Sequence, residues 1–396
     1  MIFFEYRFHK LKEVENMYDF TEIKKYMDYL HTERGVPCND VIIYKDGLPV
    51  YRYMTGKMNA SQPVNNKTLY DLYSCSKPIT VTAAMQLIEK GKLSLEDKVS
   101  KYLPEYKNAF IEENGDKVVV GDSMTVRHLL TMSAGLDYNR DNHPAILEMR
   151  KDRYDVATTR DVVSLFIKDY PLSFRPGERF QYSLCHDVLG AIIEIVSGES
   201  LGEYFKNHIF EPLGMKNIGF NRDNISKEAF ADKFIIDNNT KDVLPEKKGI
   251  DSFQISKKFE SGGAGLFAST EDYGKFAAAM SLGGVSADGV RILKSETVDL
   301  MRTPQMGSYV MNNKFSCAAG AGYSYGLGVR TMVDNSQGQK SSIGEFGWDG
   351  AAGAYILMDP AKKVAIVYTQ HILNWPARFG EMHNPIRDAA YTALGF

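Results

Sequence analysis

Ser74 and Lys77 lie three residues apart in YDLYSCSKPIT, Tyr70 to Thr80, and so pair a hydroxyl with an amine at helical spacing. On a helix that begins near Ser74 the two side chains share a face. Serine becomes a nucleophile only when a base takes its proton, which a lysine can do once desolvation or nearby positive charge lowers its pKa toward neutrality. Free N–H groups at a helix start would stabilise the oxyanion of acyl transfer. Ser-x-x-Lys alone is a weak signal, since roughly one arises by chance in a chain this long, and the simpler alternative is a solvated serine with a surface lysine. Pro78 decides for chemistry. It lacks an N–H and is best tolerated in a first helical turn, so the helix must begin where the chemistry needs it.

Other residues compete for the role. GESLG, Gly198 to Gly202, matches the Gly-x-Ser-x-Gly elbow, which must follow a strand. Here it follows Val188, Leu189, Ile192, Ile193 and Val196, which step as a helix, so Gly198 reads as a helix stop and Ser200 is not the nucleophile. His128 reads as structural, while His186 is a packed residue or a pocket wall. Cys75 and Cys185 flank candidate catalytic positions, where small buried thiols are favoured over a redox switch. With no metal-ligand cluster and no phosphate-cradling glycine loop, no cofactor is expected.

These residues need a frame. DVIIYKDGLPVYRYMTG reads as a hairpin around Asp46-Gly47, and GAYILMDPAKKVAIVYTQH as a second around Asp359-Pro360, so strands sit at both chain ends. Between them TAAMQLIEKGK, TVRHLLTMSAG, TRDVVSLFIKDY and DVLGAIIEIVSG carry apolar residues at three-to-four spacing. The polar stretch from Asp223 to Glu260 reads as a surface excursion. The expected fold is α/β (α+β): an antiparallel sheet from both ends, flanked by helices, with a mainly helical lobe inserted. Residues 1–95 and 255–396 would form the sheet region and 96–254 the helical region.

Composition narrows the partners. With 47 Lys+Arg against 50 Asp+Glu in 396 residues and a net charge of −3, no basic run invites nucleic acid. Met1 to Phe4 is too short an apolar run for a signal peptide, and VLGAIIEIV is broken by Glu194 and too short to span a membrane, so a soluble cytoplasmic protein is expected. Cys38, Cys75, Cys185 and Cys317 lack disulfide-scaffold density, and free thiols are the default. Oligomeric state is not legible.

The segments Leu72–Tyr106, Met124–Leu136, Phe174–Gly198, Gly262–Met280 and Phe346–Pro360, in this order, resemble the penicillin-binding-protein-like serine hydrolases. That group includes class C β-lactamases, DD-peptidases, family VIII carboxylesterases and lovastatin-type acyltransferases. The resemblance implies a β-lactamase/transpeptidase-like fold, with Ser74 as nucleophile and Lys77 as general base. The second motif falls on Tyr182-Ser183-Leu184, where Tyr182 would share proton transfer. The third falls on Trp348-Asp349-Gly350, and the amides of Ser74 and Ala351 would form the oxyanion hole. Tyr106-Lys107-Asn108 matches Tyr-x-Asn but belongs to a segment common in the family outside the site.

Two positions depart from the penicillin pattern. Leu184 replaces an asparagine that would hold a substrate amide, and Trp348 a cation that would attract its carboxylate. Both resemble the family VIII esterases. Leu184, Trp348, Asp349 and Gly350 are therefore candidate substrate-binding residues, with the Asp349 carboxylate near the cleft and directed toward solvent or substrate, or else on an outward strand face. The expected activity is carboxylester hydrolysis or acyl transfer through an acyl-Ser74 intermediate, with a small ester or acyl donor as partner. The alternatives are an amidase or D-amino-acid peptidase, and a non-catalytic sensor.

Overall fold

A computed structural model describes residues 17–139, 143–237, 239–246, 254–305, 322–373, 375–376 and 379–396. Cys317 and the start of the chain lie outside them. The strands β1 (Cys38–Lys45) and β2 (Leu48–Gly56) form the first hairpin. Its turn residues Asp46 and Gly47 have φ of 51° and 78°, the left-handed pair that a tight hairpin turn demands. Near the other end run β3 (Tyr323–Tyr325), β4 (Arg330–Met332), β5 (Phe346–Asp349), β6 (Tyr355–Asp359) and β7 (Val364–Thr369). They make one seven-stranded antiparallel sheet in the order β3-β4-β5-β6-β7-β1-β2. The β1–β7 pairing, Ile42 opposite Val367, joins the two chain ends as expected.

Strand alternation gives this sheet two buried faces. Val41, Ile43, Leu357 and Ile366 pack in one core with Ile23 and Met27 of α1 (Thr21–Thr32) and with Ile386 and Ala390 of a C-terminal helix, Asn384–Ala393. Ile42, Ile356 and Val367 face the opposite way, into a second core with Phe276 and Ala277 of the helix Thr270–Ser281.

The helix that follows Ser74 lies in that second core. Helix α2 (Lys77–Glu89) is buried from Lys77 to Leu87 and packs against both β5 and α3 (Cys185–Ser197). A helix apolar on all sides is stable only inside the protein, and this one joins the sheet to the helices beyond it. The central region is less uniformly helical than its periodicity suggests. Phe110–Glu113 and Asp116–Val119 form an antiparallel pair around Asn114-Gly115, whose φ of 55° and 88° mark the kind of turn Asn-Gly favours. The polar stretch beyond Asp223 is also more than an excursion. Its strands Phe234–Ile236 and Val243–Pro245 pair with each other, and Phe234 and Ile235 pair with Ile372 and Leu373. Residues 238 and 247–253 of that stretch lie outside the described residues. Among the described residues, no helix is long and apolar enough to cross a membrane.

Candidate active site

The chain approaches Ser74 along a short strand, Leu69–Asp71, paired with Phe267–Ser269. The Leu72 amide donates to the Leu266 carbonyl at 2.9 Å, and then Tyr73 turns left-handed, with φ of 46°. For a bulky non-glycine residue that conformation costs on the order of 1–3 kcal/mol and persists only where the surroundings enforce it. The reversal leads through a 3₁₀ turn, Tyr73–Ser76, into α2, with Pro78 in the first turn as the sequence required. Ser74 is left half-buried at the surface of the turn while Cys75, Ser76 and Lys77 point inward.

Lys77 is 0% exposed, and its Nζ lies 3.3 Å from Ser74 Oγ, 3.3 Å from the Tyr138 hydroxyl and 2.7 Å from the Gly263 carbonyl oxygen. The Gly263 segment is itself held from α3. Asp187, buried, accepts from Ser261 Oγ at 2.5 Å and from the Gly263 amide at 3.2 Å. Thr80 donates to the Gly262 carbonyl at 2.7 Å, and Ser76 Oγ accepts from Leu266 N at 3.0 Å. Tyr138, Gly263 and Asp187 are site residues that sequence reasoning missed. All three lie in or just beside segments quoted for the family resemblance, but none carries a motif.

Tyr182 lies directly over the amine, with Lys77 Nζ 4.6 Å from the ring centroid. Its ring packs 5.6 Å from that of Tyr138 and 5.5 Å from that of Trp348. Trp348 Nε1–H donates to the Tyr182 hydroxyl at 3.1 Å. Burial pushes the Tyr182 phenol well above its ordinary pKa, helped by the Asp349 charge and opposed by hydrogen bonds with Ser74, Trp348 and Tyr138. It is therefore a protonated hydroxyl at neutral pH. Trp348, expected to touch substrate or to line the cleft, has a third role in fixing this hydroxyl.

Gly350 follows β5 and lies against the turn that carries Ser74. A Cβ there would collide with the Leu72 carbonyl oxygen, so glycine is what lets the β5 end approach within reach of Ser74. Ala351 begins the turn that follows, closed by the Gly353 amide donating to the Gly350 carbonyl at 2.9 Å. Gly350→Ala should force strand and turn apart and lower kcat for an aryl ester by about 10- to 100-fold with the fold retained. Steady-state kinetics beside a circular-dichroism melt would check this, and unchanged kcat would show that the approach is not needed.

Burial rules out an outward, solvent-facing carboxylate at Asp349. It is 8% exposed; alternation along β5 puts Trp348 on the α2 face and Asp349 on the other with Gly347, yet its charge still reaches the Tyr182 phenol and the Cys75 thiol beside Ser74. A Cβ on Gly347 would lie 3.1 Å from Arg330 Nη2, and the Asp349 charge helps hold the buried Arg330 guanidinium charged. Leu184 is the residue before α3, buried in the wall of a small cavity with Leu136, Phe166 and Tyr170.

The competing residues have other roles. Gly198 ends α3 at φ 79°, and Ser200 Oγ caps the next helix by accepting from the Glu203 amide. No strand precedes it. The buried Tyr106 donates to the Val163 carbonyl at 2.8 Å, and His128 completes a capping box with Thr125. His186 is fully buried, and burial holds its imidazole neutral, well below its ordinary pKa. Cys38, Cys75 and Cys185 are free and buried, and burial raises all three thiols, Cys185 to about 11. They are inert packing residues.

A family model described as Beta-lactamase matches residues 22–391. The chain belongs to the beta-lactamase family. Esterase EstB of Burkholderia gladioli is 28% identical over 379 residues, 88% of this chain and 89% of its own. An Escherichia coli K12 protein, by name provisionally a D-alanyl-D-alanine carboxypeptidase, is 28% identical over 381 residues, 89% of this chain and 80% of its own. Among solved structures, EstCE1, described as a hydrolase with promiscuous acyltransferase activity, matches with a TM-score of 0.77 at 25% identity, over 93% of this chain and 97% of its own. As in other members of the beta-lactamase family, the sheet and helices form a β-lactamase/transpeptidase fold. Its relatives include proteins named as esterase, acyltransferase and carboxypeptidase.

Proposed function

We propose that the protein is a carboxylesterase or acyltransferase that forms an acyl-Ser74 intermediate on small esters. The observation that carries the proposal is the fully buried Lys77 amine 3.3 Å from Ser74 Oγ. As a neutral amine it has two N–H bonds and one lone pair. With N–H bonds directed to acceptors such as the Gly263 carbonyl and the Tyr138 hydroxyl, its lone pair can take the Ser74 hydroxyl proton. Lys77 takes that proton as Oγ attacks the ester carbonyl. The Ser74 and Ala351 amides receive the oxyanion. The Tyr182 hydroxyl protonates the departing alkoxide and recovers a proton from Lys77, and the reverse relay delivers water or an acceptor alcohol to the acyl-enzyme.

The choice of esters rests on the second and third motifs. Leu184 offers a substrate amide no hydrogen-bond partner, and the Trp348 N–H is taken by Tyr182, so no cation in the third motif meets a β-lactam or peptide carboxylate. An amide-cleaving site lacking both partners loses its discrimination. The names of EstB and EstCE1 support the same reading. Short-chain p-nitrophenyl esters should therefore be turned over with kcat/KM at least about 100-fold above that for a chromogenic cephalosporin or a D-Ala-D-Ala peptide. Equal or better turnover of either amide would replace the esterase reading with the amidase one.

A further inference from the structure

Asp71, three residues ahead of the nucleophile, is the centre of a buried ion cluster with no part in the relay above. It is 3% exposed, and its carboxylate meets Arg222 on Oδ1 and Lys233 Nζ, 2.5 Å away, on Oδ2. His371 Nε2 lies 3.6 Å from Oδ2 and 3.3 Å from the Asp71 amide nitrogen, while His371 Nδ1 bonds the Ala231 carbonyl at 2.8 Å. Burial would raise the Asp71 pKa, but the His371 hydrogen bond and the charges around it hold the carboxyl well below the usual range. The cluster thus draws four stretches of chain onto one carboxylate: the strand entering the Ser74 turn, the Arg222 segment, the Lys233 segment and His371, the second residue after β7.

The link to the nucleophile is Lys233. Its Nζ lies between the Asp71 carboxylate and the buried ring of Tyr73, 5.5 Å from the ring centroid. Tyr73 is the residue in left-handed conformation that swings Ser74 toward Lys77. On the exit side the turn is held by the Tyr273 hydroxyl donating to the Cys75 carbonyl at 2.6 Å. On the entry side the Leu72–Leu266 backbone bond is joined by this cation, which grips the Tyr73 ring from one side and Asp71 from the other. We infer that Asp71 is a positioning residue, which through Lys233 clamps the strained Tyr73 turn and so sets Ser74 Oγ against Lys77 Nζ. The inference rests on Ser74 being the nucleophile.

The full chain carrying Asp71→Asn, Lys233→Met or Lys233→Arg is tested for p-nitrophenyl acetate turnover, the rate of labelling by an alkyl fluorophosphonate and melting temperature. Asp71→Asn should lose about 100-fold in kcat and in labelling rate, with KM moving less than about threefold. Lys233→Met should lose about tenfold, and Lys233→Arg, which keeps the charge over the ring, should retain about half the wild-type kcat. A merely structural cluster would lower the melting temperature of all the variants and leave kcat per labelled site untouched, which overturns the inference. So does Lys233→Arg as poor as Lys233→Met. Should Asp71→Asn not fold, the Lys233 pair, at a position 25% exposed, decides by itself. A wild-type protein that reacts with the phosphonate elsewhere than Ser74 overturns the nucleophile assignment first, and is told apart from these outcomes by mapping the adduct.

Discussion

Replacing Ser74 by alanine should abolish phosphonate labelling and lower ester kcat by about 10⁴-fold or more, to the residual catalysis that binding and oxyanion donors supply. The expectation follows from geometry. Ser74 Oγ lies 3.3 Å from the buried amine, as the Tyr138 hydroxyl also does, and of the two it is the serine, half-buried where its neighbours in the turn are buried, that can act as an acyl acceptor. The substitution removes one oxygen from a partly exposed position, so the fold should be undisturbed and the melting temperature should change little. Ser200→Ala is the control. That hydroxyl caps a short helix, so its loss should cost about 1 kcal/mol of stability and leave labelling intact. A Ser74→Ala protein that still labels, with the adduct mapped to another residue, would sink the acyl-Ser74 mechanism.

Lys77→Ala should lower kcat/KM for the same ester by about 10³- to 10⁴-fold, the usual contribution of a positioned general base. The rival base is Tyr182, but burial keeps its phenol protonated at neutral pH, outweighing the hydrogen bonds to its oxygen. The neutral His186 is fully buried, and among the described residues no contact joins its ring to Ser74. Tyr182 therefore cannot take over when the amine is gone. Lys77→Arg should rescue nothing, since a guanidinium does not deprotonate and is too large for the space among Tyr138, Tyr182 and Gly263. Removing the amine also takes a donor from the Gly263 carbonyl and one partner from the Tyr138 hydroxyl, so the melting temperature must be measured beside the rate. Near-normal turnover by a folded Lys77→Ala protein would place the base elsewhere.

Where a feature is local, the sequence determined it by itself. Residues three apart on a helix must be neighbours, and a proline must sit in the first turn, so Ser74, Lys77 and Pro78 together disclosed where the helix starts and that the hydroxyl and amine meet there. Asp46-Gly47 disclosed its hairpin by the left-handed φ both residues tolerate, and Gly198 the end of α3. Apolar periodicity separated Ser200 from a true elbow. Motif order then extended the assignment to Tyr182 and Trp348 through resemblance, though not to what those residues do to each other.

Tertiary structure decided the rest, because it depends on which distant segments pack together. The partners of Lys77 come from 61 and 186 positions along the chain, the Trp348 donor to Tyr182 from 166, and His371 reaches Asp71 across 300. No periodicity encodes such pairs: a tyrosine at 138 or a glycine at 263 has the same local preferences whether or not a lysine lies opposite. The face of Asp349 was likewise undetermined. The period of two says that it opposes Trp348, but only packing of α2 against the Trp348 side, and burial of Arg330 on the other, decides which face meets which neighbour.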